Sequence, residues 1–249
     1  MKIWISGALG FMGREVASRA EKESIEIVGG IDVAQGDCAF PLYRSFDEAP
    51  VTGDVIIDFS RPDSLDSILR YAVSNNIPAV LCTTGYTDEQ LEKIREASEK
   101  VAVFRSGNMS LGIALLCSLC KKAAKVLGSD YDVEIVEMHH NRKVDAPSGT
   151  ALMLADAVKS ARDEELEMMC SRHGRDSKRK PNEIGIHAVR GGTVTGEHEV
   201  MFLGASERIS ISHSAENRSL FATGALRAAA YMAGREPGLY NMDDVIGEL

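Results

Sequence analysis

The first hundred residues alternate short apolar runs with segments of helical periodicity, and this alternation restricts the possible folds more than any other feature. Short apolar runs are typical of buried strands, whereas apolar residues repeated every three or four positions are typical of helices. Strands that alternate with helices favour a parallel sheet with right-handed crossovers. The predicted strands are residues 2–6, 25–32, 55–58, 79–82 and 101–104. The predicted helices are residues 12–21, 62–75 and 88–100.

A glycine-rich turn follows the first predicted strand. Its glycines are spaced G-x-x-G-x-x-G, which alone is a weak sign of nucleotide binding, but a strand precedes it, a helix follows it, and Asp32 ends the next strand. Glycines let backbone amides approach a pyrophosphate at a helix N-terminus, and a carboxylate can accept from a ribose hydroxyl. We predict a dinucleotide site, and a tight turn without a ligand is the alternative. The predicted contacts are Gly7, Ala8, Leu9, Gly10, Phe11, Met12 and Asp32.

Two polar loops follow later strands of the same predicted sheet, at residues 82–86 and 106–110. Each loop by itself could equally well be a ligand contact or an ordinary turn, because Gly, Asn, Ser and Thr are common loop residues. Ligands of such folds bind at the carboxyl ends of the strands, so the two loops together favour contact with the nicotinamide half of a cofactor. The predicted contacts are Cys82, Thr83, Thr84, Ser106, Gly107, Asn108 and Met109.

A dense polar run, E-M-H-H-N-R-K-V-D-A-P-S-G-T-A, spans residues 137–151. His139 and Lys143 can donate protons near neutral pH. A new helix is expected from Ser148, so that its first backbone amides can hold an anion. The run therefore predicts a site for a small acid. His140 could instead be a satisfied core residue, since neighbouring strand residues point in different directions. The spacing of histidines and cysteines does not match zinc ligation, and we predict no metal.

The pattern changes after residue 110. A long helix to residue 127, a strand at 131–138 and a helix from 148 precede strand-like runs at 184–190, 193–203 and 207–213, and residues 218–233 form a final helix. These runs predict an antiparallel or mixed sheet with one open face, which could pack against another subunit. The basic run 172–180 is more typical of a solvated loop than of a mobile lid that supplies charge to a dianion.

Composition and net charge argue against some classes of function. The chain has 249 residues, a net charge of −9, and no apolar segment of membrane-spanning length or secretory leader pattern. The charge argues against nucleic-acid binding, and we expect no membrane partner. Five cysteines are an odd number for a disulfide framework, so a cytoplasmic enzyme is expected. The Cys117-x-x-Cys120 pair lies in an apolar helical run, where core packing is favoured over a redox or zinc site.

These motifs together resemble the dihydrodipicolinate (4-hydroxy-tetrahydrodipicolinate) reductase family. The similarity begins with the 137–151 run and extends, in chain order, over most of the sequence. It includes residues 7–14, 58–60, 83–85, 108–112, 189–192, 196–198 and 221–225. The predicted fold class is α/β, with a Rossmann-type parallel-sheet cofactor domain and an α+β substrate domain with a mixed or antiparallel sheet. The predicted domains are 1–109 for dinucleotide binding, 110–217 for substrate binding and oligomerisation, and a C-terminal segment, 218–249. The resemblance alone implies that this last segment returns to the first domain.

The resemblance also implies an activity and residue roles. The activity is reduction of 4-hydroxy-tetrahydrodipicolinate by NADH or NADPH in diaminopimelate and lysine biosynthesis, usually by a homotetramer. His139 matches the family's acid/base histidine and Lys143 its second proton donor. A small dicarboxylate substrate would meet His140, Ser148, Gly149 and Thr150. Val33 follows Asp32 where NADP-using members can carry Arg, so repulsion of a 2′-phosphate predicts a preference for NADH, which Arg14 could soften.

Two other functions remain open. A dinucleotide-sensing regulator with the same fold would need no proton donors. The presence of His139 and Lys143 together with Ser148, Gly149 and Thr150 argues against it. Another dehydrogenase of amino-acid metabolism is the second alternative. A semialdehyde dehydrogenase requires a nucleophilic cysteine, and no cysteine here has a clear electropositive setting. A homoserine dehydrogenase would lack the 137–151 run.

Overall fold

The computed structural model describes residues 1–170 and 172–247. The chain forms two compact units. One comprises Met1–Leu111 and the segment from Arg218 onward, and the other comprises Gly112–Asn217. The strands of the described residues are β1 (Lys2–Ser6), β2 (Glu26–Ile31), β3 (Leu42–Tyr43), β4 (Val55–Asp58), β5 (Ala79–Leu81), β6 (Ala102–Arg105), β7 (Asp132–His139), β8 (Glu167–Met169), β9 (Glu183–Arg190), β10 (Gly196–Leu203), β11 (Arg208–Ala215) and β12 (Gly238–Tyr240). The helices are α1 (Phe11–Lys22), α2 (Leu65–Asn75), α3 (Asp88–Ser98), α4 (Leu111–Leu127), α5 (Gly149–Lys159), α6 (Ser219–Met232) and α7 (Met242–Gly247).

The first unit contains a parallel sheet in the order β12-β6-β5-β4-β1-β2-β3. Apart from β12, this is the strand order of the doubly wound dinucleotide-binding fold. Such a sheet is covered on both faces, which explains why three consecutive residues of β1 are apolar. Ile3, Trp4 and Ile5 are completely buried. The predicted α/β class, with a Rossmann-type sheet, is confirmed.

The carboxyl ends of five strands of the first unit lie side by side. Ser6 of β1 is aligned with Ile31 of β2 and Asp58 of β4. Asp58 is in turn aligned with Leu81 of β5, and Leu81 with Arg105 of β6. The loops that follow these residues therefore begin at one edge of the sheet, where doubly wound folds hold their ligands.

The second unit contains a mixed sheet in the order β11-β10-β7-β9-β8. β7 runs parallel to β9 and antiparallel to β10. Alternate residues of β7 face a buried core, to which α4 and α5 contribute, whereas the residues between them are partly exposed. Cys117 and Cys120 are buried in this core, as predicted. The predicted mixed-sheet domain is therefore also confirmed.

Several element boundaries differ from the sequence predictions. The strand predicted from Thr193 begins at Gly196, because residues 191–195 turn, with Gly192 at a φ of 50°. The segment predicted as one helix from Pro62 begins with a 3₁₀ turn at Pro62–Ser64. The helix at 218–233 is not the last one, since β12 and α7 follow it. None of the described helices is long and apolar enough to cross a membrane.

The basic run 172–180 is anchored to the second sheet through two arginines. Arg179 contacts Asp132 at 2.7 Å and Glu134 at 3.1 Å. Arg172 contacts Glu183 at 2.9 Å. The prediction of a solvated loop is therefore wrong for these two side chains, because they neutralise carboxylates that β7 and β9 present on one face.

Candidate functional site

The glycine turn of the first unit brings backbone segments too close together for side chains. A Cβ on Gly7, whose φ is 77°, would lie 2.6 Å from the carbonyl oxygen of Phe59. A Cβ on Gly13 would lie 2.2 Å from the carbonyl oxygen of Gly7. The two glycines are thus required for the turn and for the packing of α1 against it.

The N-terminus of α1 has no side-chain cap. Its N-cap residue is Gly10, whereas Thr87 caps α3 and Ser148 caps α5 through their hydroxyl oxygens. The first amides of a helix need acceptors and carry a partial positive charge. Phe11 and the half-buried Met12 belong to this first turn. The turn therefore has the backbone geometry and the charge that a pyrophosphate requires.

The carboxylate of Asp32 lies beside this turn, and hydrogen bonds from the protein use only some of its acceptor positions. Its Oδ2 accepts a hydrogen bond from the Leu9 amide at 2.8 Å, and its Oδ1 accepts from the Ala34 amide at 3.0 Å. A carboxylate has about four acceptor positions, so ribose hydroxyls can still be bound. Val33 is 79% exposed, and the Arg14 side chain donates to the carbonyl oxygen of Leu9 at 3.0 Å. These residues fit an adenosine ribose.

The two predicted polar loops start at the same sheet edge, but their side chains differ in accessibility. Thr84 and Gly107 are exposed, and Ser106 and Asn108 are half-buried. The Ser106 hydroxyl donates to the carbonyl oxygen of Asn108 at 2.7 Å. The side chains of Cys82, Thr83 and Met109 are buried. Contacts from these last three positions would have to come chiefly from backbone atoms.

A buried carboxyl group, that of Asp58, lies at the same edge, and the sequence had given it no role. Burial raises its pKa, although hydrogen bonds from Ser60 oppose the effect. The Ser60 hydroxyl donates to it at 2.5 Å, and the Tyr86 hydroxyl lies 3.4 Å away. Burial also raises the pKa of the Cys82 thiol well above its ordinary value. Cys82 is therefore not an activated thiol.

In the second unit, the polar run places His139 at the end of β7 with its ring largely buried. Nδ1 of His139 is 2.6 Å from Oε2 of Glu137, whose side chain is completely buried. The two residues are two positions apart in a strand, so both face the core side of the sheet. Arg190 of β9 contacts both carboxylate oxygens of Glu137 at 2.7 Å.

Burial would raise the pKa of Glu137, but three sets of hydrogen bonds hold it below its ordinary value. They come from the guanidinium of Arg190, the ring of His139 and the backbone amide of Ser148. Glu137 is therefore ionised at neutral pH. It provides a fixed negative charge beneath the imidazole of His139.

Ser148 connects the start of α5 to a second histidine. Its hydroxyl oxygen accepts from the Ala151 amide at 3.2 Å and lies 3.2 Å from Nε2 of His198. The His198 and His139 rings are 5.2 Å apart and nearly perpendicular. Burial first, and then the proximity of His139, lowers the pKa of His198 to about 4. His198 is thus neutral at physiological pH.

The remaining predicted substrate residues surround this core. Nζ of Lys143 lies 2.9 Å from Asp145. The half-buried His140 donates its backbone amide to the carbonyl oxygen of Val194 at 2.7 Å. Gly149 is exposed, and Thr150 is half-buried. All six predicted catalytic and substrate residues therefore lie on β7, on the loop after it and at the start of α5.

The family models match both parts of the chain. The one described as dihydrodipicolinate reductase, N-terminus, matches residues 1–109, and the one described as dihydrodipicolinate reductase, C-terminus, matches residues 112–246. The chain belongs to the dihydrodipicolinate reductase family. The family and its dinucleotide-binding fold imply the use of NAD(P)H.

Individual relatives agree with this membership. The chain is 50% identical over 247 residues to a 4-hydroxy-tetrahydrodipicolinate reductase from Clostridium novyi, covering 98% of each sequence. It is 48% identical to the enzyme of that name from Caldanaerobacter subterraneus, covering 99% of this chain and 98% of that one. A dipicolinate-bound dihydrodipicolinate reductase from Paenisporosarcina sp. TG-14 superposes with a TM-score of 0.81 at 25% identity, covering 98% of each chain.

Four residues that contact the predicted site received no role from the sequence, although all four lie in segments that resemble the family. Glu137 was part of the quoted run but received no role, although the two-residue period of a strand would have placed it beside His139. The others come from distant strands, which no local pattern connects to the run. They are Arg190, Gly196 and His198.

Proposed function

We propose that this protein reduces 4-hydroxy-tetrahydrodipicolinate, by way of dihydrodipicolinate, to tetrahydrodipicolinate with NAD(P)H, in diaminopimelate and lysine biosynthesis. The observation that carries the proposal is the pairing of His139 with the buried carboxylate of Glu137 at 2.6 Å. A regulator that only sensed a dinucleotide would have no use for an imidazole held in this way. The glycine turn, Asp32 and the two polar loops of the first unit would hold the cofactor.

The chemistry requires one proton from the protein. Loss of water from the hydroxy substrate forms a conjugated cyclic imine. NAD(P)H supplies a hydride when it is bound. Reduction at ring C4 leaves an enamine, and its neighbouring ring carbon must then gain a proton. His139 is suited to donate this proton from Nε2, because Glu137 holds Nδ1 and supplies a counter-charge to the imidazolium.

The substrate's carboxylate would bind at the start of α5. The backbone amides of Gly149 and Thr150 lie in its first turn, and Lys143 adds a positive charge. Lys143 now pairs with Asp145 and lowers the pKa of that carboxyl group through a hydrogen bond. Because Asp145 is exposed, it can release Lys143 to a bound dicarboxylate at little cost. His140 and Ser148 would complete the contacts.

The direct test follows the loss of NADH or NADPH with the condensation product of pyruvate and aspartate semialdehyde as substrate. We expect turnover in the wild type, and a decrease in kcat on the order of 100-fold in His139→Gln. Lys143→Ala should chiefly raise KM. His187→Gln is the matched control, because His187 belongs to the same sheet but pairs with Glu134 instead. Absence of wild-type turnover above a no-substrate control would refute the proposed reaction.

The same experiment separates the alternatives. A dinucleotide-sensing regulator would bind NADH with no turnover in any variant, and a His139→Gln, Lys143→Ala double variant with unchanged turnover would also argue for another function. Another amino-acid dehydrogenase would instead reduce NAD(P)+ while oxidising homoserine, or while oxidising a semialdehyde in the presence of phosphate. We expect neither activity.

We propose a preference for NADH over NADPH. The carboxylate of Asp32 would repel a 2′-phosphate, and the exposed Val33 offers no compensating positive charge. At a partly exposed site such repulsion amounts to about 1–2 kcal/mol, or about 5- to 30-fold in kcat/KM. Val33→Arg should reduce the preference, whereas Val51→Arg, at a 71% exposed position of the same unit, should not. Equal efficiencies with both cofactors in the wild type would contradict this proposal.

We also propose a cytoplasmic homotetramer, with residues 110–217 serving substrate binding and oligomerisation. The support is the face of the second sheet opposite its core, where Val136, Met138 and Met201 are partly exposed. Sedimentation equilibrium should give four times the chain mass. A monomer at micromolar concentration would contradict it.

A further inference from the structure

We infer that Glu137 is a positioning residue that fixes the proton donor and the substrate-binding helix to each other through one buried carboxylate. The inference rests on the proposed function, since it assigns how His139 and α5 are held during the reaction. Glu137 does not itself contact the substrate in this scheme. Its partners are His139, Arg190 and the backbone of Ser148.

All acceptor positions of the Glu137 carboxylate are occupied by hydrogen-bond partners. Oε2 contacts Nδ1 of His139 at 2.6 Å and accepts from Nη1 of Arg190 at 2.7 Å. Oε1 accepts from Nη2 of Arg190 at 2.7 Å and from the Ser148 amide at 2.9 Å. These four contacts fill the acceptor positions of a carboxylate. A completely buried group that is held in this way has one orientation, and its partners are fixed with it.

The first consequence concerns the direction of the imidazole. Glu137 is ionised, so Nδ1 of His139 must carry a hydrogen, and Nε2 is the nitrogen that remains for chemistry. A Cβ on Gly196 would lie 3.1 Å from Nε2. The absence of a side chain at Gly196 therefore leaves the space next to this nitrogen open.

The second consequence concerns charge. Without Glu137, the imidazolium of His139 would face the guanidinium of Arg190 and a second histidine. His139 has Glu137 of β7, Arg190 of β9 and His198 of β10 around it. His198 is in turn aligned with His213 of β11 and is influenced by Lys143, which pairs with Asp145 in the loop after β7. Glu137 and Asp145 are the carboxylates in this set, and Asp145 is paired with Lys143. Glu137 is the one of the two that contacts His139, so it supplies the counter-charge when the imidazole carries the proton to be donated.

The third consequence concerns the helix. The Ser148 amide donates to Glu137, while the Ser148 hydroxyl caps α5 by accepting from Ala151. The first turn of α5, which contains Gly149 and Thr150, is thereby tied to the same carboxylate as His139. A movement of this carboxylate would displace the proposed proton donor and the proposed carboxylate-binding amides together.

The test replaces Glu137 by Gln, which keeps the shape but removes the charge. The control is Glu134→Gln on the same strand, since Glu134 also pairs with a histidine and an arginine but on the opposite face. We expect kcat of Glu137→Gln to fall on the order of 100-fold, with KM for the substrate also raised. The control should keep the wild-type kcat.

The pH profile distinguishes positioning from simple structural damage. The active form of His139 is protonated, so activity is present at low pH and is lost as pH rises. Removing the carboxylate disfavours this form, and the alkaline limb of kcat should move to lower pH by about one pH unit. Glu137→Asp keeps the charge but is one methylene shorter, so it should restore the position of the limb while kcat remains reduced.

A readout without turnover keeps the inference separate from the proposed function. Nitrogen-15 NMR of labelled histidines should show a single Nδ1–H tautomer of neutral His139 in the wild type and a mixture in Glu137→Gln. Inactive wild type with this NMR result would refute the reaction but not the positioning role. A folded Glu137→Gln protein with wild-type kcat, pH profile and tautomer would overturn the inference. If Glu137→Gln does not fold, wild-type kcat and KM in Glu137→Asp would overturn the inference, because the shorter side chain cannot hold His139 and α5 in the same positions.

Discussion

Replacing Gly13 by Ala should separate α1 from the glycine turn. The added Cβ would stand 2.2 Å from the carbonyl oxygen of Gly7 and 2.8 Å from Cα of Ala8, whereas ordinary contact begins at 3.4 Å. Both obstacles are backbone atoms, so no side-chain rotation can relieve the overlap. The helix must therefore retreat by about 1 Å, which loosens the packing of the buried Val16 and Ala20.

The expected cost follows from these distances. Overpacking typically costs about 1–3 kcal/mol, and the rigid backbone contacts at Gly13 place this case at the upper end. Alanine recovers up to about 1 kcal/mol through its higher helix propensity. A net loss of about 2 kcal/mol corresponds to a melting temperature about 4–8 °C lower for a chain of this size. Because the turn moves with the helix, the affinity for NADH should fall as well.

Urea unfolding and calorimetry would measure the loss of stability, and fluorescence titration with NADH would measure binding. Gly10→Ala is the matched control. Its Cβ would meet only the carbonyl oxygen of Gly7, at 3.2 Å, which a small adjustment relieves. We expect this control to change the free energy of unfolding by less than about 0.5 kcal/mol. A Gly13→Ala protein as stable as the wild type would refute the steric argument.

Two further variants probe the second unit. Gly196→Ala places a methyl group 3.1 Å from Nε2 of His139. It should lower kcat about tenfold with little change in stability, since small misplacements of a reacting group are costly. An unchanged kcat in steady-state kinetics would contradict this expectation. Arg179→Ala removes one partner of Glu134, whose side chain is 14% exposed, and should cost about 1 kcal/mol in urea unfolding without altering kcat. A tenfold loss of activity in this variant would instead argue for a role of the basic run in catalysis.

The parts of the fold that the sequence predicted correctly are those with local patterns. The strands at 2–6 and 55–58 have the bounds predicted for them, because a strand buried on both faces is an uninterrupted apolar run. The capped helix starting after Ser148 was predicted from its own residues. By contrast, β3, β8 and β12 contain only two or three residues each. Segments of that length show no periodicity.

The candidate site was predictable only in part, for a related reason. His139 and Lys143 were identified because their side-chain chemistry is recognisable in any context. Arg190 lies in a segment that resembles the family but received no role, because it contacts Glu137 across 53 residues of sequence. Such a pairing depends on the register of β7 with β9, which aligns His139 with Arg190. No pattern local to either strand specifies that register.

Two glutamates of β7 each pair with a histidine and an arginine but differ in burial, so loss of a partner should affect stability differently at the two sites. Glu134 contacts His187 and Arg179, and its neighbour three residues on, Glu137, contacts His139 and Arg190. The strand period sends them to opposite faces.

Water can replace a lost partner of Glu134, because its partner His187 is 42% exposed. The ion pair of Glu134 with Arg179 therefore contributes no more than about 1 kcal/mol. Glu137 is completely buried, and loss of one of its partners leaves a charge that water cannot reach. Removal of the arginine from each set should therefore be well tolerated on the Glu134 side and strongly destabilising on the Glu137 side. Equal losses of stability in Arg179→Ala and Arg190→Ala would show that burial is not what distinguishes the two carboxylates.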